Sequence, residues 1–205
     1  MTFDELVAEV VAITKRPDLI DRIKSSVRAA TLKAHQSDFF YKDIVEVPVQ
    51  FLSPFYLQSF IPSEVVPRYR AAKYVRLWNS TDTDINSTLG GLGKFLENIQ
   101  IENSLDGYGQ SKSDVFYLAG QAIQIKGICP LNKVLFGCYV FPTILPETSF
   151  SSWIATDMPY VIIYEAARVI FKSISFTEQA NEYSQLVSEL YRELTIGYVD
   201  CIPLT

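Results

Sequence analysis

The sequence predicts an α+β protein: a bundle of about four helices, two N-terminal and two C-terminal, with an inserted antiparallel β region and an extended C-terminal tail. Three observations predict it. Apolar residues recur at helical spacing at both ends of the chain, over 3–36 and 158–194. Between them, from Phe39 to about Trp78, aromatic and β-branched residues dominate and prolines recur too often for a long helix, and strand patterns follow to 146. Helices and strands are therefore segregated along the chain rather than alternating as βαβ units. A length of 205 residues fits one domain spanning 1–205.

The first helix opens at Thr2 with Glu5 three positions on, a capping box, and carries Phe3, Leu6, Val7, Val10 and Ile13 on one face. Arg16-Pro17 breaks the pattern, because proline cannot donate to the preceding turn but suits the first turn of a new helix. The second helix then runs to about Gln36, with Ile20, Ile23, Val27, Ala30 and Ala34 as its buried stripe.

From Phe39 to Trp78, Pro48, Pro54, Pro62 and Pro67 predict short, irregular strands. The stretch from Arg68 to Trp78 is readable as strand or helix. Strand is favoured, since period-2 alternation would group Arg68, Arg70 and Arg76 on one face. The Asn, Ser, Thr, Asp and Gly of residues 79–93 predict a surface loop, and the region 79–113 is expected to be mobile.

A β-meander follows, with Phe116 to Ala119 and Ile123 to Lys126 joined through Gly120-Gln121 and a further strand from Val134 to Phe141 after a Pro130-Leu131-Asn132 turn. Asp157 and Pro159 open a third helix, after a Ser-rich turn. A fourth runs from about Thr177 to Leu194 on Tyr183, Leu186, Val187, Leu190, Tyr191 and Leu194. The last eleven residues, 195–205, are expected to leave the bundle through Gly197 as an unusually apolar tail.

Composition excludes several classes. With 48% apolar and 13% aromatic residues the chain is not a disordered one. Its most apolar stretch, 158–171, is interrupted by Glu165 and Arg168, so no membrane span is expected. The acidic start MTFDELVAEV lacks the basic and apolar regions of a secretory signal, which predicts synthesis in the cytoplasm. Cys129, Cys138 and Cys201 show no paired spacing and read as packed thiols.

The search for chemistry yields no catalytic residue, no metal ligand set and no cofactor site. The one histidine, His35, has no Ser or Cys pattern nearby and reads as a partly exposed helical residue. Gly90-Gly91-Leu92-Gly93-Lys94 superficially resembles a phosphate cradle, but Phe95 stands where a P-loop needs Ser or Thr and no strand leads in. Asp82 and Asp84 lack calcium-loop spacing. The basic aromatic run of Arg68, Arg70, Lys73, Tyr74, Arg76 and Trp78 is the one place suited to nucleic acid. A net charge of -5 opposes it, because binding by counterion release needs a basic surface.

Three segments carry a resemblance to a known family: the opening MTFDELVAEVVAITKRPDLIDRIKSSVRAATLKAHQSDFFYKDI, the run YVFPTILPETSFSSWIATDMPYVIIYEAARVIF, and the amphipathic SFTEQANEYSQLVSELYRELT. Their order, a strand ending in Tyr-Val-Phe-Pro, a linker with Trp153, a Met-Pro opened helix and a last long helix, resembles head-to-tail connector (adaptor) proteins of short-tailed bacteriophages, of the tail tubular protein A type. The resemblance spans nearly the whole chain. It implies a virion structural protein without enzymatic activity, at the head-tail junction. It also implies a homo-oligomeric ring, usually of twelve copies, between the portal protein and the tail nozzle, with DNA in transit through the centre. The portal-docking role it implies for the C-terminal segment falls on Ile196, Tyr198, Val199, Ile202 and Leu204. An apolar tail covered by a partner, and an acidic wall along which a duplex slides, agree with that reading. Two alternatives stand beside it: a tail folded back into a groove of its own domain, and a nucleic-acid-binding protein using Arg68, Arg70 and Arg76.

Overall fold

A computed structural model describes residues 1–77, 94–103 and 111–198. The loop expected near 79–113 lies largely outside the described residues, as do Trp78 and residues 199–205. The chain divides into two compact units, Met1–Asp43 with Phe141–Thr205, and Ile44–Val140.

The first unit is helical. Helix α1 (Phe3–Thr14) carries the expected capping box: Glu5 N–H donates to Thr2 Oγ1, and Thr2 N–H donates to Glu5 Oε2 at 2.8 Å. It ends at Lys15 in the left-handed region, and Pro17 opens a single 3-10 turn before α2 (Ile20–Gln36). Of the stripe predicted for α2, Ile23, Val27, Ala30 and Ala34 are buried, but Ile20, the first residue after the turn at 17–19, is exposed.

Helices α5 (Pro159–Ser173) and α6 (Thr177–Tyr198) complete the unit, preceded by a short α4 (Trp153–Asp157) capped by Ser152 where a turn was expected. On α5, Val161, Ile162, Ile163, Ala166, Ala167 and Ile170 are all fully buried, and α1, α2, α4 and α6 all pack against it. Each such Val or Ile contributes about 1.5–3 kcal/mol by leaving water.

The second unit holds the sheet. Its strands are β1 (Ile44–Phe60), β2 (Tyr69–Leu77), β3 (Glu97–Asn98), β4 (Val115–Ala119) and β5 (Ala122–Val140), with the single-turn helix α3 (Pro62–Val65) between the first two. Strand β5 is the spine. On one side it pairs antiparallel with β1 along its length; on the other its first part pairs with β4 and its last part with β2. β3 runs parallel to β4, so the sheet is mixed.

This corrects the predicted architecture. The described residues form six α-helices and one mixed five-stranded sheet built on the long strands β1 and β5, not a four-helix bundle carrying an antiparallel insertion of short strands. The misleading signal was proline. Pro48 and Pro54 lie in β1, which among the described residues pairs only with β5, an edge position where proline is tolerated. Pro130 lies in a bulge of β5, so the strand runs straight through the expected Pro130-Leu131-Asn132 turn.

The Gly120-Gln121 hairpin is present, with Gly120 at φ 64°, a left-handed conformation suited to glycine. At Gly137 the constraint is space: a Cβ there would lie 2.3 Å from Tyr74 Cζ, so the absent side chain lets that ring lie across the central strand.

Cys138 is buried in the sheet core with Val49, Val75, Phe136 and Ile123, and burial pushes its thiol up to about 11. Cys129 is exposed, in the β5 bulge, and is not the packed thiol the sequence suggested. In the native protein, iodoacetamide at pH 8 is expected to label Cys129 promptly and Cys138 only after unfolding, read by peptide mass spectrometry.

Candidate functional site

The end of α6 lies beyond its expected boundary. The helix continues four residues past Leu194 to Tyr198, through Gly197, so residues 195–198 do not leave the bundle. Glycine lowers helix propensity by about 1 kcal/mol, but aromatic packing outweighs it here. The Tyr198 ring lies 4.9 Å from Trp153, stacks on Tyr41 at 6.2 Å, and carries Lys42 Nζ over its face at 4.6 Å. Lys42 in turn pairs with Asp157. Of the residues singled out in the tail, Ile196 is 77% exposed on the helix and Tyr198 is held by its own unit. Val199, Ile202 and Leu204 lie outside the described residues.

The three arginines do not share a strand face. Arg68 precedes β2 with φ 64°, Arg70 sits in a bulge between the Tyr69–Val140 and Ala71–Tyr139 pairs, and a second bulge separates Ala72 from Tyr74. Two extra residues break the period-2 alternation on which the grouping depended. Arg76 is used within the sheet. Its Nη1 lies 3.2 Å from Glu46 Oε1, and its guanidinium covers Phe95 at 5.1 Å.

Sequence reasoning missed a buried constellation. His35 is 1% exposed, not partly exposed, and joins Asp43 and Ser152. Asp43 Oδ1 lies 2.8 Å from His35 Nδ1 and accepts from the Trp153 indole N–H at 2.7 Å. A carboxylate only accepts, so His35 donates through Nδ1; in a neutral ring Nε2 then accepts from Ser152 Oγ, 2.9 Å away. Ser152 Oγ itself accepts from Ala155 N–H, capping α4.

This connectivity is that of a Ser-His-Asp nucleophile relay. Ser152, however, is only 8% exposed, and the Trp153 ring packs edge-on against both His35 and Phe40. The hydroxyl is enclosed, and the constellation works as a clamp fastening α2 to the 41–43 turn and to α4. No local signal could reveal it, because Ser152 lies 117 residues from His35.

A second buried charge lies on α5. Glu165 is 2% exposed; its Oε1 accepts from Lys33 Nζ at 2.6 Å and from Arg168 Nη2 at 2.7 Å, and its Oε2 from Arg168 Nε at 3.0 Å. Burial pushes its carboxyl up, but the hydrogen bonds from Arg168 and Lys33 together outweigh burial and hold it below the usual carboxylate range.

The most exposed apolar surface is on the sheet. The β1–β5 register jumps from Gln50–Lys133 to Phe55–Leu131 and again to Leu57–Lys126, so residues 51–54 bulge from one strand and 127–130 from the other. Leu52 is wholly exposed, and Phe55, Tyr56, Leu57 and Ile128 more than half so. From residue 47 to 63 the chain holds no charged side chain. A cavity of about 580 Å³ adjoins this stretch, lined by Phe51, Leu52, Phe55, Phe60, Ile61 and Val65 among others.

Comparison with known protein families matches none of them to this chain, and comparison with curated proteins finds no relative. No helix among the described residues is long and apolar enough to cross a membrane. Among the same residues no group of three or more His, Cys, Asp or Glu is placed to hold a metal ion.

His35→Ala is expected to cost about 2–4 kcal/mol of stability in urea denaturation, since it leaves a cavity and strips a donor from the buried Asp43 carboxylate. Glu165 titrates lower in the folded chain than in the unfolded one. Its contribution is therefore complete above the unfolded value near 4.5 and is lost as pH falls through the folded value. Glu165→Gln should lower stability by about 1–3 kcal/mol at neutral pH and flatten its decline below pH 4.5, measured by thermal unfolding across pH.

Proposed function

We propose that the protein is a virion structural protein, a head-to-tail adaptor of a short-tailed bacteriophage that forms an oligomeric ring between portal and tail. One observation carries the reading: the uncharged bulged stretch of β1, with Leu52, Phe55, Tyr56 and Leu57 turned to solvent on a strand that, among the described residues, pairs on one side only. Strand edges in proteins that work alone are usually guarded by charge. Here Pro48, Pro54 and the bulges deter further strand pairing, yet the apolar side chains stay uncovered. That combination favours docking by side chains into a partner rather than addition of a strand.

Aromatic residues, a type favoured at interfaces, make up 13% of the chain. The net charge of -5 suits a passage through which DNA moves without adhering. In this reading Ile196, Val199, Ile202 and Leu204 supply the portal contact, while Tyr198 anchors the last turn of α6. The buried Ser152–His35–Asp43 clamp keeps the anchor rigid rather than catalysing a reaction. Negative-stain microscopy of the protein co-expressed with the portal protein of the same phage should show annular particles seated on the portal. Monomers beside bare portals would refute the reading.

A further inference from the structure

Helices α2 and α6 both pack on α5 and leave a groove of about 750 Å³ between them, with Glu165 and Arg168 of α5 among the lining residues. Lys33, Arg168 and Arg192 line it against the single carboxylate of Glu165, which Lys33 and Arg168 already neutralise. The groove is thus net positive in a protein whose overall charge is -5. The Tyr191 hydroxyl in its lining is buried and has no hydrogen-bond partner among the described residues. Ile196, largely exposed, adds an apolar patch to the lining.

The opposite charge lies on another flank of the same helix. Glu178, Glu182, Glu189 and Glu193 follow one another at spacings of four, seven and four, which places them in one stripe at 3.6 residues per turn. All four are exposed, and none has an ion-pair partner among the described residues. Leu186, also exposed, lies beside the stripe. At about 100° per residue the stripe sits roughly a third of a turn from Ser188, Arg192 and Thr195 of the groove.

We propose that the groove is a docking site for a second copy of this chain, which seats the acidic stripe of its α6 against Lys33, Arg168 and Arg192. The proposal rests on the adaptor reading and specifies its subunit contact. Charge complementarity selects the occupant and also the symmetry. Placing either patch against itself would oppose like charges, whereas groove against stripe joins two different surfaces. Such a heterologous contact repeats head to tail, and a ring is how it closes. The charges fix register and partner choice, while Leu186 and Ile196 supply apolar area at the seam.

The test uses sedimentation velocity and negative-stain microscopy on the full chain, alone at low and high ionic strength and co-expressed with the portal protein. One variant carries Ser188→Glu with Arg192→Glu, the other Glu189→Lys with Glu193→Lys. All four positions are exposed on α6 and none contributes to the helical core, and circular dichroism checks folding. Wild-type rings should weaken with salt. Each variant by itself should associate about tenfold more weakly or worse, and an equimolar mixture of the two should recover rings, because each then offers the charge the other lacks. Rings that persist in either variant, or a mixture that recovers nothing, overturn the contact and leave the adaptor reading standing. A wild-type chain that stays monomeric alone and with the portal overturns both. A gel shift of duplex DNA abolished by Ser188→Glu with Arg192→Glu would assign the groove to phosphate and overturn the proposal as well.

Discussion

The helical unit depends on the burial of α5. Val161, Ile162, Ile163, Ala166, Ala167 and Ile170 leave it almost no wet face, so helices from both ends of the chain must pack around it. One consequence is electrostatic. Glu165, on the same helix, is carried inside by its neighbours, and an unpaired buried carboxylate would be expensive enough to unfold the region. Lys33 from α2 and Arg168 one turn on are therefore required partners. A second consequence is geometric: two cylinders resting on a third leave a furrow between them, and that furrow lies over Glu165. The cationic groove follows from how a hydrophobic helix is wrapped.

What the sequence disclosed was the local part of this arrangement. The Thr2–Glu5 capping box, the break at Pro17, the Gly120 hairpin and the stripe of α1 each depend on residues within a few positions of one another, and of the stripe expected on α6 Val187 and Leu194 are buried while Leu186 is exposed. The features it hid are set by distant partners. Whether Pro48 and Pro54 end a strand depends on whether that strand has a second neighbour, which no local pattern encodes. Whether α6 stops at Gly197 depends on Trp153 and Tyr41 gripping Tyr198. His35 looked solitary because Asp43 and Ser152 reach it through the fold. Arg68, Arg70 and Arg76 looked like one surface because bulges do not show in an alternating pattern.

Charge teaches the same point from the other direction. A net value of -5 describes how the protein behaves at a distance. It says nothing about where each sign resides. Arg76 is consumed by Glu46 and Phe95 inside the sheet, while Arg192 and Lys33 remain beside a groove on the helices. On α6 the four glutamates of the stripe lie on one flank, the apolar residues face α5, and Arg192 joins Lys33 of α2 and Arg168 of α5 in the groove on a third.

Such a helix has direction, and direction is what separates a ring from a pair. A self-complementary patch is satisfied by one partner and stops; two unlike patches leave one of each uncovered until the series returns to its start. In the adaptor reading, the apolar bulge of β1 then has a separate task, since its uncharged side chains cannot tell one neighbour from another by sign. Apolar area supplies adhesion without selectivity, and charge supplies selectivity with little adhesion. In that reading, dividing the two between the sheet and the helices would let copies of the chain recognise each other first and hold a dissimilar partner second. The groove's chemistry, polar and reversible with salt, suits the first step, and the bulge's suits the second.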